Sequence, residues 1–201
     1  GMAAAKVTRR GAAMVLVLAT ALDAGAPAAS EPVTVDYYDV HGDTLLEVAR
    51  WMDRNGPAGD DGRRFHGYTR WQVSWRYQFK PGRDACATAA VDTDLKVTMQ
   101  LPRWRPPERV PAAAVREWER YMVALRAHED GHAAIGAAVA EAIRRELAAM
   151  RSPSGCAALA EAIERRASQI LDDHKARELA YDASTDHGAT QGARLRVGVF
   201  R

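Results

Sequence analysis

From Trp71 to Phe79 apolar and polar residues alternate. Trp71, Val73, Trp75, Tyr77 and Phe79 fall on one side, and Gln72, Ser74, Arg76 and Gln78 on the other. Leu95, Val97, Met99 and Leu101 repeat the pattern against Lys96, Thr98 and Gln100. A period of two sends successive side chains to opposite faces, so both segments predict strands with one buried and one wet face. Pro81-Gly82 breaks the first strand and the turn after it carries Cys86, which predicts an antiparallel pair within a small sheet. The aromatic stripe is read as core packing against a helix rather than as a carbohydrate or base platform. Upstream, Val33, Val35 and Tyr37 alternate with polar partners and predict a strand ending near Gly42. Thr44-Leu45-Leu46-Glu47 then fits a capping box, in which each polar side chain satisfies an orphan amide of a helix's first turn. Asn55-Gly56-Pro57 stops that helix, with Gly56 expected as a left-handed cap, and residues 58–64 read as a loop rich in Gly, Asp and Arg.

The period changes after a segment carrying Pro102, Pro106, Pro107 and Pro111, which predicts a stiff connector between the sheet and a helical half. Val115, Trp118, Met122, Leu125, Glu129, His132, Gly136, Val139 and Ile143 follow a three-four spacing, the mark of a long helix from about Pro111 to Met150. Ser152-Pro153-Ser154-Gly155 turns the chain. A second helix is predicted from Cys156 to about Ala180, with Leu159, Ile163, Ala167, Ile170 and His174 on one stripe. So short a connection makes the two helices an antiparallel pair. The tail from Tyr181 to Gly192 reads as irregular, and Leu195, Val197 and Val199 suggest a last strand. The fold expected is α+β: a small antiparallel sheet packed on a long helix and its antiparallel partner, as one domain over residues 31–201.

Composition changes this picture at the N-terminus. Lys6, Arg9 and Arg10 precede an apolar run from Ala12 to Leu22 and then the small residues from Ala24 to Ser30, so residues 1–30 read as a secretory leader with Gly1 as a scar ahead of Met2. The apolar run is too short to span a bilayer. Those residues carry three basic groups and one acidic group, the whole of the formal charge of +2, so the remainder is close to neutral. A nucleic-acid or anionic-membrane footprint needs clustered positive charge, so neither partner is expected. An exported, periplasmic or secreted protein keeps its cysteines oxidised, and the only two, Cys86 and Cys156, are expected to form a disulfide.

The apolar stripe of the long helix is interrupted at one place, His128-Glu129-Asp130-Gly131-His132. Imidazoles four residues apart lie one above the other on a helix, so both can aim a nitrogen at a single cation, and Glu129 projects beside them without having to bind it. Buried titratable groups cost several kcal/mol unless satisfied, and a metal satisfies them. The pattern is that of zinc hydrolases, where three protein ligands leave one position for water and a carboxylate takes the water's proton. For the third ligand, an extended pattern with a histidine six residues after His132 fails, because that position is Ala138. Glu141 and Glu146 are about 13 and 21 Å along the axis at 1.5 Å per residue, out of reach. An antiparallel partner folded about Pro153 brings His174 level with His132, and Glu178 level with His128. The alternative is His187, in the polar returning segment.

The chain resembles the bacterial group of predicted secreted zinc-dependent proteases, a family otherwise described as a domain of unknown function. The resemblance rests on Trp104 after Leu101-Pro102, on Leu125 to His132, on both cysteines, and on Tyr181-Asp182 with Thr185, His187-Gly188 and Gln191-Gly192. It implies an exported zincin-like α+β domain with peptidase activity, and it favours His187 as third ligand over His174. The expected enzyme is a zinc metallopeptidase in which His128, His132 and His187 hold Zn²⁺ and Glu129 is the base. Tyr181 is the candidate oxyanion donor, and Asp182 or Asp186 orients a ligand imidazole. Its partner would be a peptide or protein, held in extended form by an edge of the sheet. A zinc amide or ester hydrolase of the cell envelope, and a binding module merely stapled by a metal with four protein ligands, are the competing readings.

Overall fold

The computed structural model describes residues 4–5, 33–59, 61–83, 85–198 and 200. The leader read at residues 1–30 lies outside them, apart from a two-residue strand β1 (Ala4–Ala5). The other elements are β2 (Thr34–Val40), α1 (Leu45–Asn55), β3 (Tyr68–Pro81), β4 (Cys86–Trp104), α2 (Ala112–Ala148), β5 (Arg151–Ser152), α3 (Gly155–Thr185) and a 3₁₀ turn at Ala189–Gln191. The class is α+β, as the alternation followed by helical periodicity predicts.

The sheet is mixed rather than antiparallel. β3 and β4 form the expected antiparallel hairpin, with Trp71 opposite Val97 and Val73 opposite Leu95. β2, however, joins the far side of β4 in parallel, Tyr37 opposite Leu101. Parallel neighbours need a crossover, and α1 together with β3 supplies it. The strand order is β1-β3-β4-β2, with β5 pairing the start of β4. β4 also runs further than the proline pattern suggests, through Pro102 to Trp104, since β2 continues to pair with it there.

Local chemistry explains the ends of α1. Thr44 Oγ1 accepts from Glu47 N, while Glu47 Oε2 accepts from Thr44 N, so the capping box is complete. Gly56 is not the left-handed cap anticipated, since its φ is −59°. A Cβ at 56 would instead run into the carbonyl oxygen of Phe65, so the glycine serves a close backbone approach.

α2 lies across β3 and β4, and its stripe divides two apolar cores. Towards its C-terminal end Val139, Ile143 and Leu147 meet Trp71, Val73 and Val97 of the sheet and Leu159, Ile163 and Ile170 of α3. Towards its N-terminal end Trp118, Tyr121 and Leu125 meet Val48 and Met52 of α1 and Met99, Leu101 and Trp104 of β4. Each such side chain contributes about 1.5–3 kcal/mol when taken from water, so the two clusters fix α2 rigidly on either side of residues 128–132. Cys86 and Cys156 form a disulfide that ties the start of β4 to the start of α3. Among the described residues no helix is long and apolar enough to cross a membrane.

Two expectations fail in the C-terminal half. α3 does not stop near Ala180 but continues to Thr185. The segment from Leu195 forms no strand within the described residues; the amide of Arg196 donates to Glu117 Oε1 on α2, and Leu195 packs on the second core.

Candidate metal centre

Three residues of α2 at the junction of the cores, His128, Glu129 and His132, are each 0% exposed. Opposite them α3 presents Glu178 and Asp182, one turn apart and both buried. His128 Nε2 stands 3.3 Å and His132 Nε2 3.0 Å from the same oxygen, Asp182 Oδ1. Ligand atoms of His128, His132 and Asp182 all lie within 4.8 Å of one another.

The other nitrogen of each ring is spoken for. His132 Nδ1 is 2.5 Å from Glu178 Oε2, and His128 Nδ1 is 2.9 Å from Gln191 Oε1. Gln191 Nε2 donates to Tyr181 Oη at 3.1 Å, and Tyr181 Oη donates to the carbonyl of His128 at 3.2 Å. That chain of donors makes the Gln191 oxygen the acceptor for His128, so Nδ1 carries the hydrogen in both rings. Both Nε2 atoms then turn a lone pair towards an anionic oxygen. Such an arrangement of three acceptors is repulsive unless a cation sits among them. A proton is one such cation: burial opposes charge on His132, yet the hydrogen bonds to Asp182 and Glu178 outweigh it and push its pKa up to about 9. Burial likewise opposes the Asp182 carboxylate, and the two imidazoles facing it, His128 beside it and His132 within hydrogen-bond distance, nonetheless hold its pKa well below the usual range. A divalent ion is the other. His128 Nε2 is buried with no hydrogen bond of its own, and two imidazoles with one carboxylate are a donor set suited to zinc and neighbouring transition metals. The residues present therefore fit a metal ion.

Surrounding side chains hold this geometry. Trp71 Nε1 donates to Glu178 Oε1 at 2.9 Å, so the sheet fixes the carboxylate that fixes His132. The Tyr181 ring stacks on His128, with centroids 5.1 Å apart at 11°, and meets His132 edge-on at 5.0 Å. This packing is why Gly131 is a glycine, because a Cβ there would overlap the Tyr181 hydroxyl. Gly188, with φ of 84°, presses its backbone on the other side of His128, where a Cβ would come within 2.8 Å of Cγ.

Glu129 stands beside the cluster without belonging to it. Thr69 Oγ1 on β3 donates to its Oε2 at 2.8 Å, whereas its Oε1 is buried with no hydrogen-bond partner. Burial raises its pKa, as a proton-accepting group requires. Gly67 lies against that free oxygen so closely that a Cβ would fall 2.6 Å from it.

Of the residues singled out from the sequence, His128, Glu129, His132 and Tyr181 come together. His187 comes close without joining the three: its Nδ1 is 3.5 Å from the other oxygen of Asp182 and its side chain is 43% exposed. The reason is the length of α3, which brings Asp182 inward on the helix and puts His187 just past the helix end, at a φ of 50°. His174 is a turn too far along, where Nδ1 donates to its own helix at Ile170 O, 2.7 Å away. Glu178, one turn later in α3, is the residue level with His132. Asp186 is exposed and pairs with Arg194, so Asp182 is the aspartate that meets the imidazoles. Glu178 and Asp182 continue the spacing Ile170, His174 at intervals of four, and that continuation is the signal that marks them in the sequence.

Neither the curated proteins nor the solved structures give a match to this chain. Residues 35–188, which run from β2 to the turn after α3 and include all of His128, Glu129, His132 and Asp182, match the family described as "Bacterial protein of unknown function (DUF922)", and the chain belongs to that family.

Proposed function

We propose that this domain is a zinc-dependent hydrolase, in the first instance an exported metallopeptidase. The observation that carries the reading is the convergence of two Nε2 lone pairs on one Asp182 oxygen, with an unbonded Glu129 oxygen alongside. His128, His132 and Asp182 would hold the ion. A zinc ion held by those three residues would supply Lewis acidity, making a water more acidic and polarising a carbonyl.

The chain's own residues do the rest. Glu129 Oε1 has no competing donor, so it is available to take a proton from the attacking water and return it to the leaving amine. Thr69 holds the other carboxylate oxygen and so sets the direction of the free one. Glu178 and Gln191 keep both imidazoles in the tautomer that presents Nε2. The half-exposed His187 would be the donor to a developing oxyanion, a role Tyr181 could take only by giving up its bond to the His128 carbonyl. An extended peptide is the fitting substrate for a domain with sheet edges, and an amide or ester of the cell envelope would meet the same groups.

A second reading has an observation in its favour. His128, Glu129 and His132 are wholly buried, which suits a metal that staples α2 to α3 in a non-catalytic module. The two readings part on Glu129→Gln. In the hydrolase the variant binds Zn²⁺ as tightly as the parent and cleaves unfolded protein substrates at least 100-fold more slowly, the usual order for a lost general base. In the staple neither form cleaves, while chelation lowers the melting temperature of both alike.

A further inference from the structure

The two Nδ1 atoms of the metal centre are held by groups of very different footing. Glu178 belongs to a buried helix face. Gln191 sits on a single 3₁₀ turn beyond the last helix, a segment with no apolar anchor of its own: among residues 188 to 192 none is buried except Gly188. A lone glutamine on such a turn would not hold a histidine tautomer, because a single hydrogen bond exchanged for one to water contributes little net.

The turn is fastened from elsewhere. Arg120, eight residues before His128 and hence about 12 Å along α2, donates from Nη1 to Gly192 O at 2.7 Å and from Nη2 to Arg194 O at 2.8 Å. Its fork is aimed by Glu117, which accepts from Nε at 2.8 Å and from Nη2 at 2.7 Å. The same Glu117 takes the amide of Arg196 at 3.0 Å. Gly192, at φ of 92°, brings its backbone so near that a Cβ would stand 3.4 Å from Arg120 Nη1. Two carbonyls on either side of one residue, gripped by one planar fork, fix the turn that ends at Gln191.

We infer that Arg120 is a positioning residue of the metal centre: by clamping Gly192 and Arg194 it holds Gln191 against His128 Nδ1, and so keeps His128 Nε2 facing Asp182. The inference rests on the metal reading above, and assigns to Arg120 a role in a site it does not touch. Lysine at 120 keeps the charge but offers no fork to bridge two carbonyls and a carboxylate.

The test uses the chain with Arg120→Lys, Gln191→Met, the pair together, and Gln191→Glu, each checked for an unchanged circular dichroism spectrum. Zn²⁺ is titrated against a chromophoric chelator, and the His128 tautomer is read from long-range ¹H–¹⁵N imidazole spectra of the metal-free chain, with His132 as internal control. Arg120→Lys and Gln191→Met should each weaken Zn²⁺ binding about 10–100-fold, as lost outer partners of ligand histidines do. The double variant should be no weaker than the worse single one, since both remove the same support, and Gln191→Glu should bind within a few-fold of the parent. His128 should lose its fixed Nδ1–H tautomer in Arg120→Lys while His132 keeps its own. Zn²⁺ affinity unchanged in Arg120→Lys, or losses that multiply in the double variant, would overturn the inference. If the parent takes up no Zn²⁺, the metal reading falls by itself and the tautomer decides: a His128 tautomer unmoved by Arg120→Lys overturns the clamp, and a moved one upholds it.

Discussion

Gly131→Ala sets two magnitudes against each other. The residue lies well inside α2, where alanine is favoured over glycine by about 1 kcal/mol through backbone entropy alone. On propensity the substitution stabilises. The structure predicts the reverse, because the new Cβ would overlap Tyr181 Oη and Cζ and stand 2.8 Å from Cε1. Tyr181 cannot move without leaving its stack on His128 and its bond to the His128 carbonyl. Overpacking of this kind costs about 1–3 kcal/mol, so the net effect is a loss of roughly 0–2 kcal/mol. For a chain of this size that is a fall in melting temperature of up to about 8 °C, at about 2–4 °C per kcal/mol. The decisive comparison is a double-mutant cycle by thermal denaturation. With Tyr181→Ala in place the clash is gone, and Gly131→Ala should then stabilise by about 1 kcal/mol, a coupling of about 1–3 kcal/mol between the two sites. A rise in melting temperature of equal size in both backgrounds would show that Tyr181 does not occupy the space beside Gly131, and with it the packing of the whole cluster would be wrong.

Further outcomes follow from the same geometry. Glu178→Gln leaves one oxygen to serve both Trp71 Nε1 and His132 Nδ1, and should weaken Zn²⁺ binding about 10-fold or more, read by competition with a chelator. Gly67→Ala puts a Cβ 2.6 Å from Glu129 Oε1, so hydrolysis should fall while Zn²⁺ affinity stays within a few-fold; equal loss of both would place Gly67 in the fold rather than beside the base. Replacing Cys86 and Cys156 by serine opens a bridge between residues 70 apart in sequence. In the chain-entropy view that costs about 4 kcal/mol, to be measured by urea unfolding.

Most of the scaffold was legible because its patterns are long. Nine alternating residues in β3, and a three-four stripe sustained from Val115 to Ile143, leave little choice of element. The capping box at Thr44 and the pairing of the only two cysteines were equally plain, since both are local or combinatorially forced. What the sequence hid was decided by tertiary contacts. Tyr181 to Thr185 contain Asp, Ser and Thr, poor helix formers that favour turns when read alone. They stay helical because Tyr181 packs on His128 and Asp182 is buried against two imidazoles. Read from the sequence alone, Asp182 is therefore support for a ligand imidazole and His187 the third ligand, whereas the structure groups Asp182 with His128 and His132 and leaves His187 further out. The register of the partner helix differs by a turn from the one a fold about Pro153 gives, with Glu178 rather than His174 level with His132, and helical periodicity alone does not report how two helices are set along each other. Gly67 and Gly131 carry no signal at all in sequence, since what each glycine makes room for is a side chain 62 or 50 positions away.

The central claim is that His128, His132 and Asp182 together hold one metal ion. Crystals of the zinc-loaded protein, with anomalous differences collected at the zinc edge, test it most directly. The account predicts a single peak about 2.0–2.1 Å from Nε2 of both histidines and about 2.0–2.2 Å from an Asp182 oxygen, with water at the remaining position. No peak at that place, or a peak whose third protein ligand is His187 with Asp182 turned away, would contradict it.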